Sequence, residues 1–211
     1  QRFDAVKNRL KNAAESAGRS PEDIELLAVS KKHSIESIKL LYDNGQPRFG
    51  ENYPSELFEK AEALAHLQIE WVFIGTLQSN KIARLVSICS EIQTVASAKH
   101  LRHINRSAGE LDKKDFKVYL QANVSKESQK SGFSFDELEK TLTSFSAYPN
   151  LSLEGLMAIP SKQDSLAAQQ GKIPPSYEKL KQITSKHNLS KLSLGMSADL
   201  EAAVTIGSTC V

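Results

Sequence analysis

The 211-residue sequence has an ordinary globular composition, with 40% hydrophobic residues, 25% charged residues and a formal net charge of +2. That charge gives no field strong enough to indicate binding to nucleic acid or to an anionic membrane. No apolar run approaches the ~20 residues of a membrane-spanning helix. The only cysteines, Cys89 and Cys210, lack the spacing of a zinc site or a disulfide scaffold. We therefore expect a cytoplasmic protein with a small-molecule partner, trimmed upstream of Gln1.

After an opening helix, short apolar segments typical of strands alternate with segments of helical periodicity. Strands are predicted at residues 24–29, 48–50, 69–74, 92–95, 116–123, 151–157 and 191–194, with residues 209–211 as the start of an eighth. Helices are predicted at residues 3–14, 35–42, 54–67, 80–88, 98–108, 135–145, 176–187 and 199–206, and a long loop precedes the helix at 176–187.

This alternation, with strands apolar on both faces, is typical of a parallel sheet in an α/β fold. Close to eight units predict a single (β/α)8 TIM-type barrel domain over residues 1–211. It carries an extra N-terminal helix, and its last strand is truncated at Val211. A doubly wound open sheet is the alternative.

The first predicted strand ends at two lysines, Lys31 and Lys32. Functional sites of such barrels lie at the C-terminal ends of the strands. A lysine carried from a buried strand into a loop is partly desolvated, which favours the neutral amine that attacks carbonyls. Strands that leave a core also commonly end in charged residues without any further role. The alternation of strands and helices does not choose between the two lysines.

Residues 193–199 join the seventh predicted strand to a helix that starts near Asp199. Helix N-termini attract anions, so a phosphate is one interpretation. Gly195 would let the backbone approach closely, and the hydroxyls of Ser193 and Ser197 would donate hydrogen bonds. The alternative is an N-cap serine and a turn glycine without a ligand. The negative charge of Asp199 should point away from a bound phosphate.

The absence of several motifs excludes common classes of functional site. The five histidines form no metal-binding helix motif, so no metal site is predicted. The sequence has no dinucleotide-binding glycine motif, Walker loop or nucleophile elbow. Polar clusters follow the strands at residues 50–53 and 75–81, and a polar loop at 123–132 carries Lys130, a second candidate amine.

Five motifs in this order resemble the pyridoxal phosphate homeostasis family, the proline synthetase co-transcribed homologue group related to the barrel domain of alanine racemases. They are LLAVSK at 26–31, FGENY at 49–53, FIGTLQSNK at 73–81, GLMAIP at 155–160 and LSLGMSADLEAA at 192–203.

The resemblance implies that pyridoxal 5'-phosphate (PLP) is the cofactor and that Lys31, not Lys32, forms an aldimine with it. It also implies that the phosphate contacts Ser193 and the turn of Gly195, Met196 and Ser197. Asn52 is expected beside the cofactor, and the ring pocket is expected to contain Ile74, Gly75 and Met157.

The function implied is vitamin B6 homeostasis by a PLP-binding protein without robust catalytic activity. An amino-acid racemase is the alternative. Related racemases take an acid/base group from a second domain, whereas this chain is predicted to consist of the barrel domain alone. A cofactor-free Schiff-base lyase is a third, less favoured reading. PLP-dependent apoenzymes are expected as transient partners, and the chain is expected to be a monomer or a weak homodimer.

The sequence departs from the family in two places. Residues 31–34 read KKHS where the family usually has KTKP, just beyond the aldimine lysine. The family also continues beyond the equivalent of Val211 into Arg-Ile-Gly and a final helix with further phosphate amides. We therefore expect the C-terminus to be trimmed.

Overall fold

The computed structural model describes residues 2–124 and 131–211, in which parallel strands alternate with helices. The strands are β1 (Ala28–Val29), β2 (Arg48–Glu51), β3 (Glu70–Phe73), β4 (Glu91–Val95), β5 (Phe116–Ala122), β6 (Leu151–Ala158) and β7 (Lys191–Ser193). The helices are α1 (Arg2–Ser16), α2 (Ile35–Asp43), α3 (Pro54–Ala63), α4 (Ile82–Ile88), α5 (Ala98–Glu110), α6 (Phe135–Thr143), α7 (Lys162–Gln169), α8 (Pro175–Lys186) and α9 (Leu200–Ile206). The predicted α/β alternation and the extra N-terminal helix are confirmed.

The chain divides into two compact units. The first unit consists of Gln1–Leu26, Gln121–Leu142 and Glu154–Val211. The second unit consists of Leu27–Leu120 and Thr143–Leu153. That residues 1–211 form a single domain stays a prediction.

In the second unit, β1 to β5 pair in parallel and in chain order. Val29 lies opposite Gly50, and Glu51 lies opposite Phe73, so the carboxyl ends of β1, β2 and β3 meet at one edge of the sheet. Phe49, Phe73 and Ile92 on these strands and Leu101 on α5 are fully buried. The strands therefore deliver the residues that follow them, including Lys31, to a common edge.

In the first unit, β6 pairs in parallel with β7, and Met157 lies opposite Ser193. The short terminal segment is paired on both sides: Cys210 forms parallel bridges with Ser193 and with Glu25. The backbone amide of Val211 donates to the carbonyl of Glu25 over 3.0 Å. The last strand is short, as expected, and this pairing leaves neither of its edges free within the unit.

Helices α1 and α9 pack together in the first unit, with Ala14 and Val204 fully buried in their cluster. The small side chain of Ala14 allows the two helices to approach closely. Arg19, just beyond α1, donates hydrogen bonds to the carbonyls of Val204 (2.9 Å) and Ser208 (2.6 Å). The extra N-terminal helix is thus tied to the C-terminal segment.

The loop predicted before helix α8 was wrong. The stretch before helix α8 was expected to be a long loop, but it contains α7. Ser161 caps this helix, because its hydroxyl accepts a hydrogen bond from the amide of Asp164 over 3.0 Å. A serine followed three residues later by an acidic residue is the sequence signal that predicts such a start.

Within the described ranges, no helix is both long and apolar enough to cross a bilayer. Over the same residues, no group of three or more His, Cys, Asp or Glu side chains is arranged to hold a metal ion. Cys89 and Cys210 are both free and buried. Burial raises the pKa of the Cys89 thiol to about 12, so this thiol stays protonated and inert at neutral pH.

Candidate functional site

Lys31 lies in the turn that follows β1, and its side chain is exposed to solvent. The expectation that it is partly desolvated is therefore wrong for this structure. The turn begins at Lys31, directly after Ser30, whose amide still donates to the carbonyl of Gly50 over 3.0 Å. Lys32, the next residue, has a φ of 62°, in the left-handed region that non-glycine residues rarely adopt. The amine of Lys31 is thus accessible, while its backbone lies in a tight turn.

A buried lysine from α3 holds this turn. Lys60 is 6% exposed, and its ammonium donates to the carbonyl of Ser30 (2.8 Å), to Glu51 Oε1 (2.7 Å) and to Glu56 Oε2 (2.9 Å). The Ser30 hydroxyl also donates to Glu51 Oε1 over 2.7 Å. Glu56 Oε2 in turn accepts the backbone amide of Lys32 over 2.8 Å. The residues before and after Lys31 are therefore both fixed by one charged cluster.

The charged groups of this cluster stabilise one another in their charged forms. Burial alone lowers the pKa of Lys60, but the hydrogen bonds and charges of Glu51 and Glu56 outweigh that effect and leave the pKa raised. The hydrogen bond from Lys60 lowers the pKa of Glu56, and the amide of Lys32 adds to this. Lys60 and Glu56 are therefore both charged at neutral pH.

Asn52, Ile74 and Gly75 meet at the ends of β2 and β3. The amide of Ile74 donates to the carbonyl of Glu51 over 2.9 Å. A Cβ placed on Gly75 would lie 1.8 Å from the carbonyl oxygen of Asn52, so only glycine fits there. Asn52 Oδ1 is buried and accepts no hydrogen bond from the described part of the chain. The structure thus brings three of the predicted residues together through their backbones, and one of them, Asn52, carries a buried side-chain oxygen without a hydrogen bond from the described residues.

The predicted phosphate turn lies in the first unit, after β7. Ser193 is buried at the end of the strand, whereas Met196 and Ser197 are exposed. Gly195 has a φ of 109°, and a Cβ there would lie 2.6 Å from the Cβ of Ala203 on α9. Glycine is required both for the left-handed backbone and for the close approach to α9. The turn is therefore a sharp, partly exposed backbone loop next to the start of a helix.

Asp199 shapes this turn from inside. It is 1% exposed, and it accepts hydrogen bonds from the Met196 amide (2.7 Å) and from the hydroxyl of the fully buried Tyr177. Burial, and then the hydrogen bond and charge of Asp199, raise the pKa of Tyr177 far above its usual range, so the hydroxyl remains a donor. The carboxylate is thus turned inward, and the Met196 amide is engaged with it. On the outside, Arg9 donates to the carbonyl of Ser197 over 2.6 Å.

Met157, the remaining predicted residue, is buried on β6 beside Ser193. Lys130, the second candidate amine, lies outside the described residues. Sequence reasoning missed Lys60, Glu56 and Tyr177. The i,i+4 spacing of Glu56 and Lys60 behind a helix-opening proline was the one local signal for the first two.

Comparison with known proteins identifies the fold family of this arrangement. The family model for the alanine racemase N-terminal domain matches residues 2–211. The chain is 38% identical over 98% of its length to the pyridoxal phosphate homeostasis protein of Escherichia coli (strain K12), and it covers 89% of that relative. It is 35% identical to the protein of the same name from Haemophilus influenzae over 99% of its length, covering 90% of that relative.

Solved structures agree. The chain superposes with a TM-score of 0.87 on an unknown protein from Bifidobacterium adolescentis, at 29% identity, covering 98% of this chain and 89% of that one. The TM-score is 0.77 against PipY of Synechococcus elongatus with PLP bound, at 28% identity and 95% coverage of both chains. An alanine racemase of Clostridium difficile shares the fold with a TM-score of 0.71 at 16% identity; the match covers 96% of this chain and 51% of that one.

The fold defined by these comparisons is the predicted α/β barrel of the alanine racemase type, which is confirmed. The chain belongs to the alanine racemase N-terminal domain family and, within it, to the pyridoxal phosphate homeostasis proteins.

Proposed function

We propose that this chain binds PLP through a reversible covalent bond to Lys31 and acts in vitamin B6 homeostasis without robust catalytic activity. The observation that carries the proposal is the combination at Lys31 of an exposed amine and a fixed backbone turn. Its support from relatives is the name of the curated homologues and the PLP bound to PipY.

The residues present fit the chemistry of PLP. Its aldehyde supplies an electrophilic carbon; as the neutral Lys31 amine adds to it, one water leaves and C=N replaces C=O. Asn52 offers a buried amide oxygen that the described residues leave unsatisfied, suited to a polar substituent of a planar ring. Gly75 lies against the backbone carbonyl of Asn52, and Ile74 directly precedes it; we assign the ring contacts to these two residues and to Met157.

We assign the phosphate to Ser193 and to the turn of Gly195, Met196 and Ser197. The left-handed conformation of Gly195 and its close approach to Ala203 fix the course of the backbone through this turn. The carboxylate of Asp199 accepts hydrogen bonds from Tyr177 and from the Met196 amide, which reduces its repulsion of an incoming anion and leaves the other peptide groups of the turn as the donors. The first amides of α9 lack partners within the helix and are the natural further donors.

We further propose a cytoplasmic location, transient delivery of PLP to PLP-dependent apoenzymes, and a monomer or weak homodimer built from one domain. A net charge of +2 and two buried free cysteines are compatible with a reducing compartment and a small-molecule ligand.

The test is spectroscopic. PLP is added to the purified protein, and the near-visible absorbance band of the bound aldehyde is followed before and after reduction with borohydride. We expect a band that borohydride removes, that is lost in Lys31→Ala and that persists in the matched neighbour Lys32→Ala. A protein without such a band, or a band unaffected by Lys31→Ala, would overturn the proposal.

The catalytic alternative needs its own measurement. The PLP-loaded protein is incubated with L-alanine, and the D-isomer is followed by chiral chromatography. We expect no turnover beyond the rate with free PLP. Multiple turnovers per protein molecule that disappear in Lys31→Ala would replace the proposed carrier by a racemase.

A further inference from the structure

We infer that Lys60 and Glu56 form a clamp that positions Lys31 and makes it, rather than the adjacent Lys32, the residue that takes the aldehyde. This inference rests on the proposed function. It assigns positioning roles to two residues that the five sequence motifs do not include.

The clamp acts on the peptide groups on either side of Lys31. On the N-terminal side, the Ser30 carbonyl accepts the ammonium of Lys60 at 2.8 Å, while the Ser30 amide donates to the carbonyl of Gly50 at 3.0 Å. On the C-terminal side, the Lys32 amide donates to Glu56 Oε2 at 2.8 Å. The Lys60 ammonium donates to Glu56 Oε2 at 2.9 Å, so the restraints on the peptide groups before and after Lys31 are coupled.

The clamp accounts for the reaction of the aldehyde with only one of two neighbouring amines. Lys31 and Lys32 are both exposed, so access to solvent does not separate them. They differ in backbone conformation, because Lys32 has a φ of 62° and Lys31 does not share this left-handed geometry. A left-handed backbone conformation costs energy and persists only where its surroundings fix it. The hydrogen bond from the Lys32 amide to Glu56 supplies that restraint.

Without the restraint, the turn relaxes and the direction of each lysine side chain changes. The amine of Lys32 then competes for the same aldehyde. A role of Glu56 in stability alone would lower the amount of folded protein but leave the choice between the two amines unchanged.

The test uses the full chain with PLP, borohydride reduction and peptide mass spectrometry, which reports the fraction of pyridoxyl label on each lysine. Glu56→Ala removes the acceptor for the Lys32 amide and leaves Lys60 bonded to Ser30 and Glu51. Glu56→Gln keeps an acceptor oxygen at the same place. Glu59→Ala is the matched control, because it removes an exposed acidic side chain from the same helix.

We expect label almost wholly on Lys31 in the wild type, in Glu59→Ala and largely in Glu56→Gln. In Glu56→Ala we expect the Lys31-to-Lys32 ratio to fall about tenfold, the effect of one lost hydrogen bond to a charged acceptor. Lys60→Met combined with Glu51→Gln, which leaves no unpaired buried charge, should lower the ratio at least as much.

An unchanged ratio in Glu56→Ala, with Lys31 labelled in the wild type, would overturn this inference and leave the proposed function standing. An unchanged ratio in a folded Lys60→Met/Glu51→Gln variant would overturn the role of Lys60. A wild-type protein without label on Lys31 would overturn the proposed function and the inference with it.

Discussion

Replacing Tyr177 by phenylalanine tests how the phosphate turn is held, because it deletes a single buried hydroxyl. Tyr177 is fully buried and Asp199 is 1% exposed, so water cannot take the place of the missing donor. Asp199 would keep the bond from the Met196 backbone amide at 2.7 Å and lose the bond from the Tyr177 hydroxyl. Leaving a buried charged acceptor unsatisfied costs about 2 kcal/mol, and the loss of the hydroxyl opens no sizeable cavity.

For a chain of this length, 2 kcal/mol corresponds to a fall in Tm of about 4–8 °C. We expect Tyr177→Phe to show this shift in urea and thermal unfolding followed by circular dichroism. The control is Tyr42→Phe, whose hydroxyl accepts the Gln68 amide at an exposed position; water replaces that bond, so a change below about 0.5 kcal/mol is expected. A Tyr177→Phe protein as stable as the wild type would refute the argument that the hydroxyl of Tyr177 holds Asp199 in place.

Two further outcomes follow from other contacts. Gly75→Ala should lower the free energy of unfolding by about 3 kcal/mol, because the new Cβ would overlap the carbonyl oxygen of Asn52 at 1.8 Å; a loss below 0.5 kcal/mol in urea titrations would contradict that packing. Glu201 pairs with Arg9 at 2.5 Å, which lowers the Glu201 pKa from its usual 4.5. Its stabilisation is therefore complete above pH 4.5 and lost as pH falls through the lowered value. Because both groups are exposed, Glu201→Gln should cost only about 0.5 kcal/mol at pH 7 and nothing near pH 2, and a pH-independent cost would count against the pairing.

The sequence predicts the order and type of the strands and helices well because each strand is a short apolar run between periodic segments. It predicts their ends less well. The first strand was expected over residues 24–29, but β1 is only Ala28–Val29, and Glu25 instead bridges to Cys210 at the far end of the chain. A pairing between residues 185 positions apart in the sequence leaves no local signal. Periodicity alone therefore assigns residues 24–27 and 28–29 to one strand.

At the site, motifs located the residues but not their environment. The apolar run pointed to Lys31 and Lys32 together, and only the family resemblance singled out Lys31; its exposure depends on how the chain turns after Ser30. The bond between Lys60 and Ser30 joins residues 30 positions apart and exists only once α3 packs behind β2. No sequence pattern in residues 26–31 predicts this hydrogen bond.

Lys60, one half of the clamp, also pairs with the buried Glu51, and the charged character of that pair is informative. Lys60 and Glu51 have side chains only 7% and 0% exposed, and burying an ion pair commonly gains no more stability than apolar side chains of the same volume would. Stability therefore does not account for the choice of charged residues here. An apolar pair would fill the same space but would lose the two hydrogen bonds that fix Ser30, from the Lys60 ammonium to its carbonyl and from its hydroxyl to Glu51. Because Ser30 directly precedes Lys31, those two bonds locate the backbone from which the reactive amine extends.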